Sequence, residues 1–228
     1  MLLPIAAIDY HNGLSQSLIV NALPRILAAI IALAGLNWAS NTLNFWSDCE
    51  EDRKNKPNRP VVSGRVPRDE AVGLAGAGYG VVLLAALYVG QTFTLLCVLI
   101  SAFTWTYSAP PFRLKRRLHW NQLAIASPRG ALGILAAWSI AGSIFDPPIL
   151  TLAFILAVLT FGANASKDLG DVDGDRAAGV RNWATEYGPR LTLIMVSGFT
   201  MLSGLYALVF VYLGLLPLLL ILVGTGAY

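Results

Sequence analysis

Seven long apolar stretches constrain this chain more than any other feature. They lie at about residues 17–43, 70–90, 92–108, 121–142, 148–166, 190–212 and 214–228. A helix needs about 20 apolar residues to cross a bilayer, and lipid forces each span to satisfy its own backbone hydrogen bonds. Hydrophobic residues make up 56% of the sequence and charged residues 13%, which excludes an ordinary soluble domain. The sequence therefore predicts an all-α, polytopic transmembrane helical bundle that forms a single domain over residues 1–228.

Both ends of the sequence look like parts of helices. Residues 1–8 are apolar but too short to span a bilayer, and they lead into the turn-like sequence His11-Asn-Gly. Residues 224–228 end the last apolar stretch without a polar tail. No basic segment with a small-residue cleavage site precedes the first span, so a signal peptide is not expected. We expect the bundle to lack terminal helix parts at one or both ends.

The charged residues predict how the spans are oriented. If the spans alternate in direction, loops at about 48–69, 109–120 and 167–190 fall on one side, and they hold 14 of the 16 Lys and Arg residues. The same side holds 11 of the 13 Asp and Glu residues. Basic loops remain in the cytoplasm as a rule. We therefore expect a multi-pass integral membrane protein whose polar chemistry faces the cytoplasm.

Two acidic clusters follow apolar stretches on this side, at residues 44–52 and 164–175. Each begins with Asn-x-x-x-Asp, a spacing that places both side chains on one face of a helix, one turn apart. Carboxylates gathered at a membrane boundary repel one another, so a cation should hold them. Ligands that are all oxygen favour Mg²⁺, which commonly shares its coordination shell with phosphate.

Such clusters suggest a specific chemistry. Two Mg²⁺ ions could bridge the clusters and clamp a diphosphate, while nearby basic residues neutralise the charge that develops as it leaves. This arrangement can ionise an allylic diphosphate, and an apolar chamber below would hold the prenyl tail away from water. A single acidic loop would more simply be a set of solvated charges. Two clusters with the same opening, on the same side, favour the diphosphate site.

The motifs resemble those of the UbiA-type intramembrane prenyltransferases. Residues 44–52, with the following Pro57-Asn-Arg-Pro stretch, are similar to the first signature of that family, and residues 168–175 match its Asp-x-x-Asp-x-x-x-Asp signature. Tyr107 and Lys115 correspond to a Tyr and a Lys in an intervening loop. The resemblance covers nearly the whole chain, in the family's order. It implies a nine-helix bundle and Mg²⁺-dependent transfer of a polyprenyl group from its diphosphate to a lipophilic acceptor.

Two departures from the family pattern stand out. Phe45 occupies a position where the family often has Asp, so one outer acidic residue is absent. After the second cluster, residues 181–184 read Arg-Asn-Trp-Ala in place of the usual Arg-Thr-Leu-Pro type of run.

The resemblance also implies roles for individual residues. The magnesium ligands would be Asp48, Asp52, Asp168, Asp171 and Asp175. Asn44 and Asn164 would hold a diphosphate oxygen or a metal-bound water. Lys115 and Arg59 would bind the leaving diphosphate, although Arg59 could instead anchor to lipid phosphate. The ring of Tyr107 could face the prenyl cation, or Tyr107 could be an ordinary interfacial tyrosine.

Two arginines lie inside apolar stretches. Arg129, in Ser127-Pro-Arg-Gly, is costly within a membrane and therefore indicates a function. It could bind an acidic group of the acceptor, or extend toward the cytoplasmic surface. Arg25, beside Pro24, is a weaker candidate for the same role.

The signatures concern the diphosphate end of the donor, so they leave the acceptor open. An aromatic quinone precursor or a chlorophyllide-like molecule fits, and so does the archaeal synthesis of digeranylgeranylglyceryl phosphate. Residues 173–178 lack the Asp-Gly-x-x-Ala-Arg motif of CDP-alcohol phosphotransferases. A cation transporter should carry its acids near the membrane midplane, and a soluble isoprenoid synthase would be less apolar. The bilayer is the expected partner, with no nucleic acid and no obligate protein.

Overall fold

Most of the length of the apolar stretches that the structure describes is helical. The computed structural model describes residues 2–12 and 16–217, and these contain no β-strand. The α-helices are α1 (Leu2–Asn12), α2 (Gln16–Ser47), α3 (Cys49–Asn55), α4 (Arg68–Val89), α5 (Gln91–Ser108), α6 (Leu118–Ile125), α7 (Gly133–Trp138), α8 (Pro147–Ala163), α9 (Val172–Ala177) and α10 (Trp183–Tyr212). This confirms the all-α prediction.

Among the described residues, fewer helical segments suit a membrane span than the sequence suggested. Four described helical segments are long and apolar enough to cross a bilayer: Val20–Ser47, Arg68–Val89, Pro147–Gly170 and Trp183–Tyr212. Helix α5 is shorter, with 18 residues, and polar residues occupy both of its ends. Of the stretch predicted at 214–228, residues 218–228 lie outside the described residues, and residues 214–217 are not helical.

Two local predictions were wrong. His11 and Asn12, expected in a turn, are the last residues of α1. The predicted span at 121–142 is not one α-helix, because a π-helical segment (Ala126–Leu132) separates α6 from α7. Pro128 has no N–H to donate to the preceding turn and its ring crowds that turn, so the backbone widens there.

Small residues allow the helices to pack closely. Helix α2 runs along α4, and the buried residues of α2 recur every three or four positions, at Ala29, Ala32, Leu36, Ala39 and Leu43. A Cβ atom on Gly78 of α4 would lie 2.6 Å from the ring of Trp38. Without a hydrophobic driving force between helices in lipid, such close backbone approach supplies the packing energy.

A second core lies where α7 meets α8 and α1. Trp138, Ile149 and Leu152 are fully buried there. Trp138 donates a hydrogen bond from Nε1 to Asp146 Oδ2 at 2.7 Å, and Nε2 of His11 lies 2.7 Å from the same oxygen. These polar contacts mark the end of the bundle opposite to the acidic clusters.

Three polar segments that connect the helices meet at the end of the bundle that carries the acidic clusters. Residues 48–67 follow α2, residues 109–117 follow α5, and residues 164–182 follow α8. The second and third connections touch directly, because the backbone N–H of Arg181 donates to the carbonyl of Arg116 at 3.2 Å. The loops that the sequence assigned to one side therefore meet at one end of the bundle.

Candidate active site

The two acidic clusters line one cavity of about 400 Å³. The predicted site residues on its wall are Asn44, Asp48, Asp52, Arg59, Tyr107, Lys115, Asp168, Asp171 and Asp175. They come from all three polar connections and from the ends of α2 and α5. The fold thus brings together, at one place, acids and bases that are far apart along the chain.

The first cluster straddles the junction between α2 and α3. The N–H of Asp48 donates to the carbonyl of Asn44 at 2.8 Å, so the expected one-turn spacing persists through the break in the helix. Ser47 donates from Oγ to Asp48 Oδ1 at 2.8 Å. The Lys115 ammonium forms an ion pair with Asp48 and donates to Ser47 Oγ at 2.7 Å. This cluster is therefore held by a cation from a different loop.

Asp52 and Arg59 form a second ion pair in the same cluster. Nη1 of Arg59 donates to Asp52 Oδ2 at 2.5 Å. Burial raises the pKa of Asp52 above its usual value, and Arg59 opposes that shift. The guanidinium of Arg59 also lies 5.1 Å from the centre of the Phe45 ring, a cation–π contact. The residue that departs from the family pattern thus supports the arginine that neutralises Asp52.

Each acid of the second cluster that lines the cavity has its own partner. Asp168 accepts a hydrogen bond from Asn121 Nδ2 at 3.1 Å, and Asp171 accepts one from Lys56. Asp175 accepts from Asn182 Nδ2 at 2.8 Å. Burial raises the pKa of Asp175, and the Asn182 hydrogen bond opposes the rise.

The second cluster is not α-helical where an α-helix was expected. Residues Asn164–Gly170 form a 3₁₀-helix, in which side chains three apart, rather than four, align along the axis. Asn164 consequently turns away from Asp168 and donates from Nδ2 to Gln122 Oε1 at 2.9 Å. It does not line the cavity formed by the clusters.

The basic side chains of the cavity differ in burial, from the partly exposed Lys56 to the buried Lys115. Lys115 is 9% exposed. Burial, with help from Arg116 and Lys167, lowers its pKa to about 7, while Asp175 opposes the shift. The adjacent Asp48 carboxylate also favours its charged form. On the far wall, Lys167 donates from Nζ to Tyr107 Oη at 2.9 Å, so the cavity presents more than one cation to an anion.

The two predicted arginines lie outside this cavity. Arg129 lines a second cavity of about 430 Å³, with aliphatic side chains and the polar residues Asn37, Ser40 and Thr104. Asn37 and Asn41 join the two cavities along α2, since Asn41 lines the first and its Nδ2 lies 3.5 Å from Asn37 Oδ1. Arg25 is exposed on α2 and lines neither cavity.

The side chains that line the cavity offer the type of ligand atom that binds magnesium. Its acidic and amide side chains offer only oxygen ligands, which Mg²⁺ prefers. Among the described residues, however, no three His, Cys, Asp or Glu side chains converge into a group that could hold a metal ion unaided. In this structure Asp48, Asp52 and Asp171 each form an ion pair with a basic side chain. Since Mg²⁺ is commonly bound by one or two carboxylates together with phosphate oxygens, these residues fit ions that arrive with a diphosphate.

Sequence reasoning missed four residues that partner the predicted ones. They are Lys56, Asn121, Lys167 and Asn182. Asn182 carried a local signal, because Asn-x-x-Thr before an apolar stretch is a capping pattern, and Asn182 and Thr185 do form a capping box at the start of α10. Lys56 and Lys167 lie in polar segments, and Asn121 begins an apolar stretch. None of the three carries a signal of its own, and only the fold brings them to the cavity.

Known proteins resemble this chain over most of its length. The model of the UbiA prenyltransferase family matches residues 12–228. A 2-acylphloroglucinol 4-prenyltransferase of Humulus lupulus is 31% identical over 194 residues, which cover 78% of this chain and 45% of that protein. The digeranylgeranylglyceryl phosphate synthase of Methanothermobacter thermautotrophicus is 29% identical over 185 residues, which cover 79% of this chain and 62% of that protein.

A solved structure has the same fold. It is a UbiA homologue from Archaeoglobus fulgidus bound to GPP and Mg²⁺, with a TM-score of 0.74 and 22% sequence identity. The match covers 83% of this chain and 67% of that one. The chain therefore has the same helical architecture as that homologue, while it spans only about half the length of the hop relative.

Proposed function

Because this chain belongs to the UbiA prenyltransferase family, we propose that it transfers a polyprenyl group from an allylic polyprenyl diphosphate to a lipophilic acceptor. In this reaction the bond between the prenyl carbon and the diphosphate oxygen breaks. The same carbon forms a bond to the acceptor, which loses a proton, and diphosphate leaves. Relatives named as prenyltransferases support the proposal.

One observation carries the proposal. Acidic side chains from two distant parts of the chain line a single cavity together with Arg59 and Lys115. Such a cavity suits a ligand that is itself anionic and is bound through cations, as a diphosphate is. Two Mg²⁺ ions, held by the five aspartates that line the cavity, would neutralise the diphosphate and help it leave.

The basic side chains have a defined task in this scheme. Lys115 and Arg59 now neutralise Asp48 and Asp52. With Mg²⁺ bound by those carboxylates, both cations would be free to neutralise the diphosphate, whose negative charge increases as the carbon–oxygen bond breaks. The Tyr107 ring, with Lys167 5.4 Å from its centre, forms part of the wall against which the prenyl cation develops.

The second cavity suits the acceptor. Its walls carry Leu33, Leu36, Ile100 and Ile134, and it adjoins the first cavity through Asn37. An acceptor with an acidic group, either a carboxylate or a phosphate, would bind Arg129 there. The phosphate-bearing acceptor of a digeranylgeranylglyceryl phosphate synthase would use the same residue, so that activity is the second candidate.

The long apolar helices and the family together identify an integral membrane protein. We further infer that the acidic cavity faces the cytoplasm, because the three connections around it carry most of the Lys and Arg residues. Cysteines introduced at Arg65 and Arg181, which are exposed, should react with an impermeant reagent from the cytoplasmic side only. A cysteine at Asp146 should react only from the other side, and labelling of Arg65 and Asp146 from one side would refute this orientation.

The activity can be tested directly. The protein is reconstituted in lipid nanodiscs and supplied with radiolabelled polyprenyl diphosphates of several lengths, a panel of aromatic and phosphate-bearing acceptors, and either Mg²⁺ or a chelator. We expect product with Mg²⁺ only. Asp48→Asn and Asp168→Asn should each lower kcat by about a hundredfold or more, because each removes a carboxylate from the diphosphate clamp.

Asp173→Asn is the matched control for these substitutions. Asp173 lies in the second cluster but is exposed and does not line the cavity, so this variant should retain wild-type activity. Product formation by Asp48→Asn or Asp168→Asn at the level of Asp173→Asn would contradict the two-cluster mechanism.

A further inference from the structure

Asn121 lies on the wall of the first cavity, yet it belongs to neither acidic cluster. It is 2% exposed, and its Nδ2 donates to Asp168 Oδ2 at 3.1 Å. Its Oδ1 is buried and accepts no hydrogen bond from the described residues. An unpaired buried carbonyl oxygen costs about 1–3 kcal/mol. That cost indicates that the oxygen gains a partner in a state of the protein with ligands bound.

The orientation of the Asn121 amide follows from its neighbour. An ionised carboxylate can only accept hydrogen bonds, so the NH₂ group of Asn121 must face Asp168. The carbonyl oxygen is therefore the amide atom left for a further partner, on a residue that lies on the cavity wall. This oxygen repels diphosphate oxygens, because both are acceptors. It suits a cation or a donor such as a water molecule bound to a cation.

The next residue provides a comparison. Gln122 is fully buried on the same helix, α6, and its Oε1 accepts a hydrogen bond from Asn164 Nδ2 at 2.9 Å. Helix α6 therefore holds the 3₁₀-helix of the second cluster at two points, Asn164 and Asp168. Gln122 does not line the cavity, whereas Asn121 does. Both amides form hydrogen bonds with this segment, but only Asn121 also lines the cavity.

We propose that Asn121 is part of the magnesium site. Its Nδ2 orients the Asp168 carboxylate, and its Oδ1 binds the ion held by Asp168, either directly or through a water ligand of that ion. Amide oxygens are ligands that Mg²⁺ accepts, and residues that orient a metal ligand commonly affect metal affinity by about 10- to 100-fold. This inference rests on the proposed function only for the presence of Mg²⁺.

Binding of Mn²⁺, a paramagnetic substitute for Mg²⁺, tests the proposal without any prenyl transfer. Free and bound Mn²⁺ are measured by electron paramagnetic resonance on protein in nanodiscs, with inorganic diphosphate present. We expect Asn121→Leu to weaken Mn²⁺ binding by about tenfold or more, since it replaces both polar atoms by methyl groups on the same branched skeleton. Gln122→Met is the matched comparison: it releases Asn164 but leaves the contact to Asp168 in place, so it should weaken Mn²⁺ binding less than Asn121→Leu does. Metal-free melting temperatures show whether each variant is folded.

Each outcome is decisive. Wild-type Mn²⁺ affinity in Asn121→Leu overturns the proposal, and so does an equal loss in Gln122→Met, which would mean that α6 acts only by holding the segment. If Asn121→Leu does not fold, Asn121→Ser replaces it, because a serine hydroxyl is too short to serve both Asp168 and the ion. Failure of the wild-type protein to bind Mn²⁺ would refute the metal in the proposed function as well. An Asn121 variant with unchanged Mn²⁺ affinity would refute this inference but not the proposed function.

Discussion

Lys56, the residue that follows α3, donates a hydrogen bond to Asp171 of the second acidic cluster. The two clusters are thus joined directly by a cation. The Asn55 side chain also packs closely against the backbone of Gly174, since a Cβ atom there would lie 1.8 Å from Asn55 Oδ1. Glycine at this position lets α9 pack against the end of α3. The distance across the cavity therefore depends on these residues as well as on the acids.

Lys56→Met should impair donor use while having little effect on stability. The ion pair is partly exposed, so its loss should lower the free energy of unfolding by less than about 1 kcal/mol. The lysine should nevertheless meet the charge of the departing diphosphate, and we expect kcat to fall by about tenfold or more. Steady-state kinetics and thermal melting measure the two effects. Lys54→Met is the control, because Lys54 is exposed and does not line the cavity; equal kinetic losses in both variants would contradict the prediction.

Lys115→Met should lower kcat more than it raises the KM of the donor. The negative charge that Lys115 meets increases mainly in the transition state, and an interaction realised there raises kcat. Arg117→Gln removes a charge from the same loop, but Arg117 is exposed and lies off the cavity wall. Its kinetics should match the wild type. A Lys115 variant in which only the donor KM changes would mean that this lysine binds the substrate and the transition state equally.

Arg129→Gln should raise the KM of an acidic acceptor and leave that of the donor nearly unchanged. Arg129 lines the second cavity, apart from the clusters that would hold the diphosphate. Arg129→Lys keeps the positive charge and should retain part of the affinity for the acceptor, whereas it loses the bidentate geometry of arginine. An increase in the donor KM alone would reverse the assignment. Arg25→Ala in the same assay tests the weaker sequence prediction for Arg25.

Magnesium affinity should decrease as the pH falls. Burial raises the pKa of both Asp52 and Asp175 above the usual 3.8, so the folded protein retains protons on these groups at a higher pH than free carboxylates do. Protons then compete with the metal, because a ligand must be deprotonated to bind it. The Mg²⁺ concentration that half-maximally raises the melting temperature should be higher at about pH 5.5 than at about pH 7.5. Equal values at the two pH values would show that these carboxylates are not ligands.

Gly130→Ala should destabilise the bundle. A Cβ atom there would lie 2.5 Å from the backbone of Ala157, so the π-helical segment would have to move away from α8. Such overpacking costs about 1–3 kcal/mol. Gly76→Ala is the control, because no atom lies within 4 Å of the added Cβ on α4. We expect the melting temperature to fall for Gly130→Ala and to stay level or rise for Gly76→Ala; the same change in both would contradict the packing argument.

Some features of the site follow from sequence alone because they depend on local patterns. Apolar length determines the membrane-spanning helices, since lipid leaves the backbone no other solution. The spacing of Asp168, Asp171 and Asp175 is a property of one short segment, and so is that of Asn44 and Asp48. Charge distribution assigns the polar loops to one side, and the structure brings those loops to one end of the bundle.

The remaining features depend on contacts between segments that are distant in the chain. Lys56 meets Asp171, Asn121 meets Asp168 and Lys167 meets Tyr107 only because separate helices end at the same place. No periodicity predicts such pairs, because a hydrogen bond depends on the positions of two side chains to within a fraction of an ångström. Local backbone geometry also determines where a side chain points, which residue spacing alone does not. The 3₁₀-helix directs Asn164 toward Gln122 and away from the cavity. The sequence by itself determined the membrane bundle and the acids that line its cavity, whereas the tertiary structure decided which partner holds each acid.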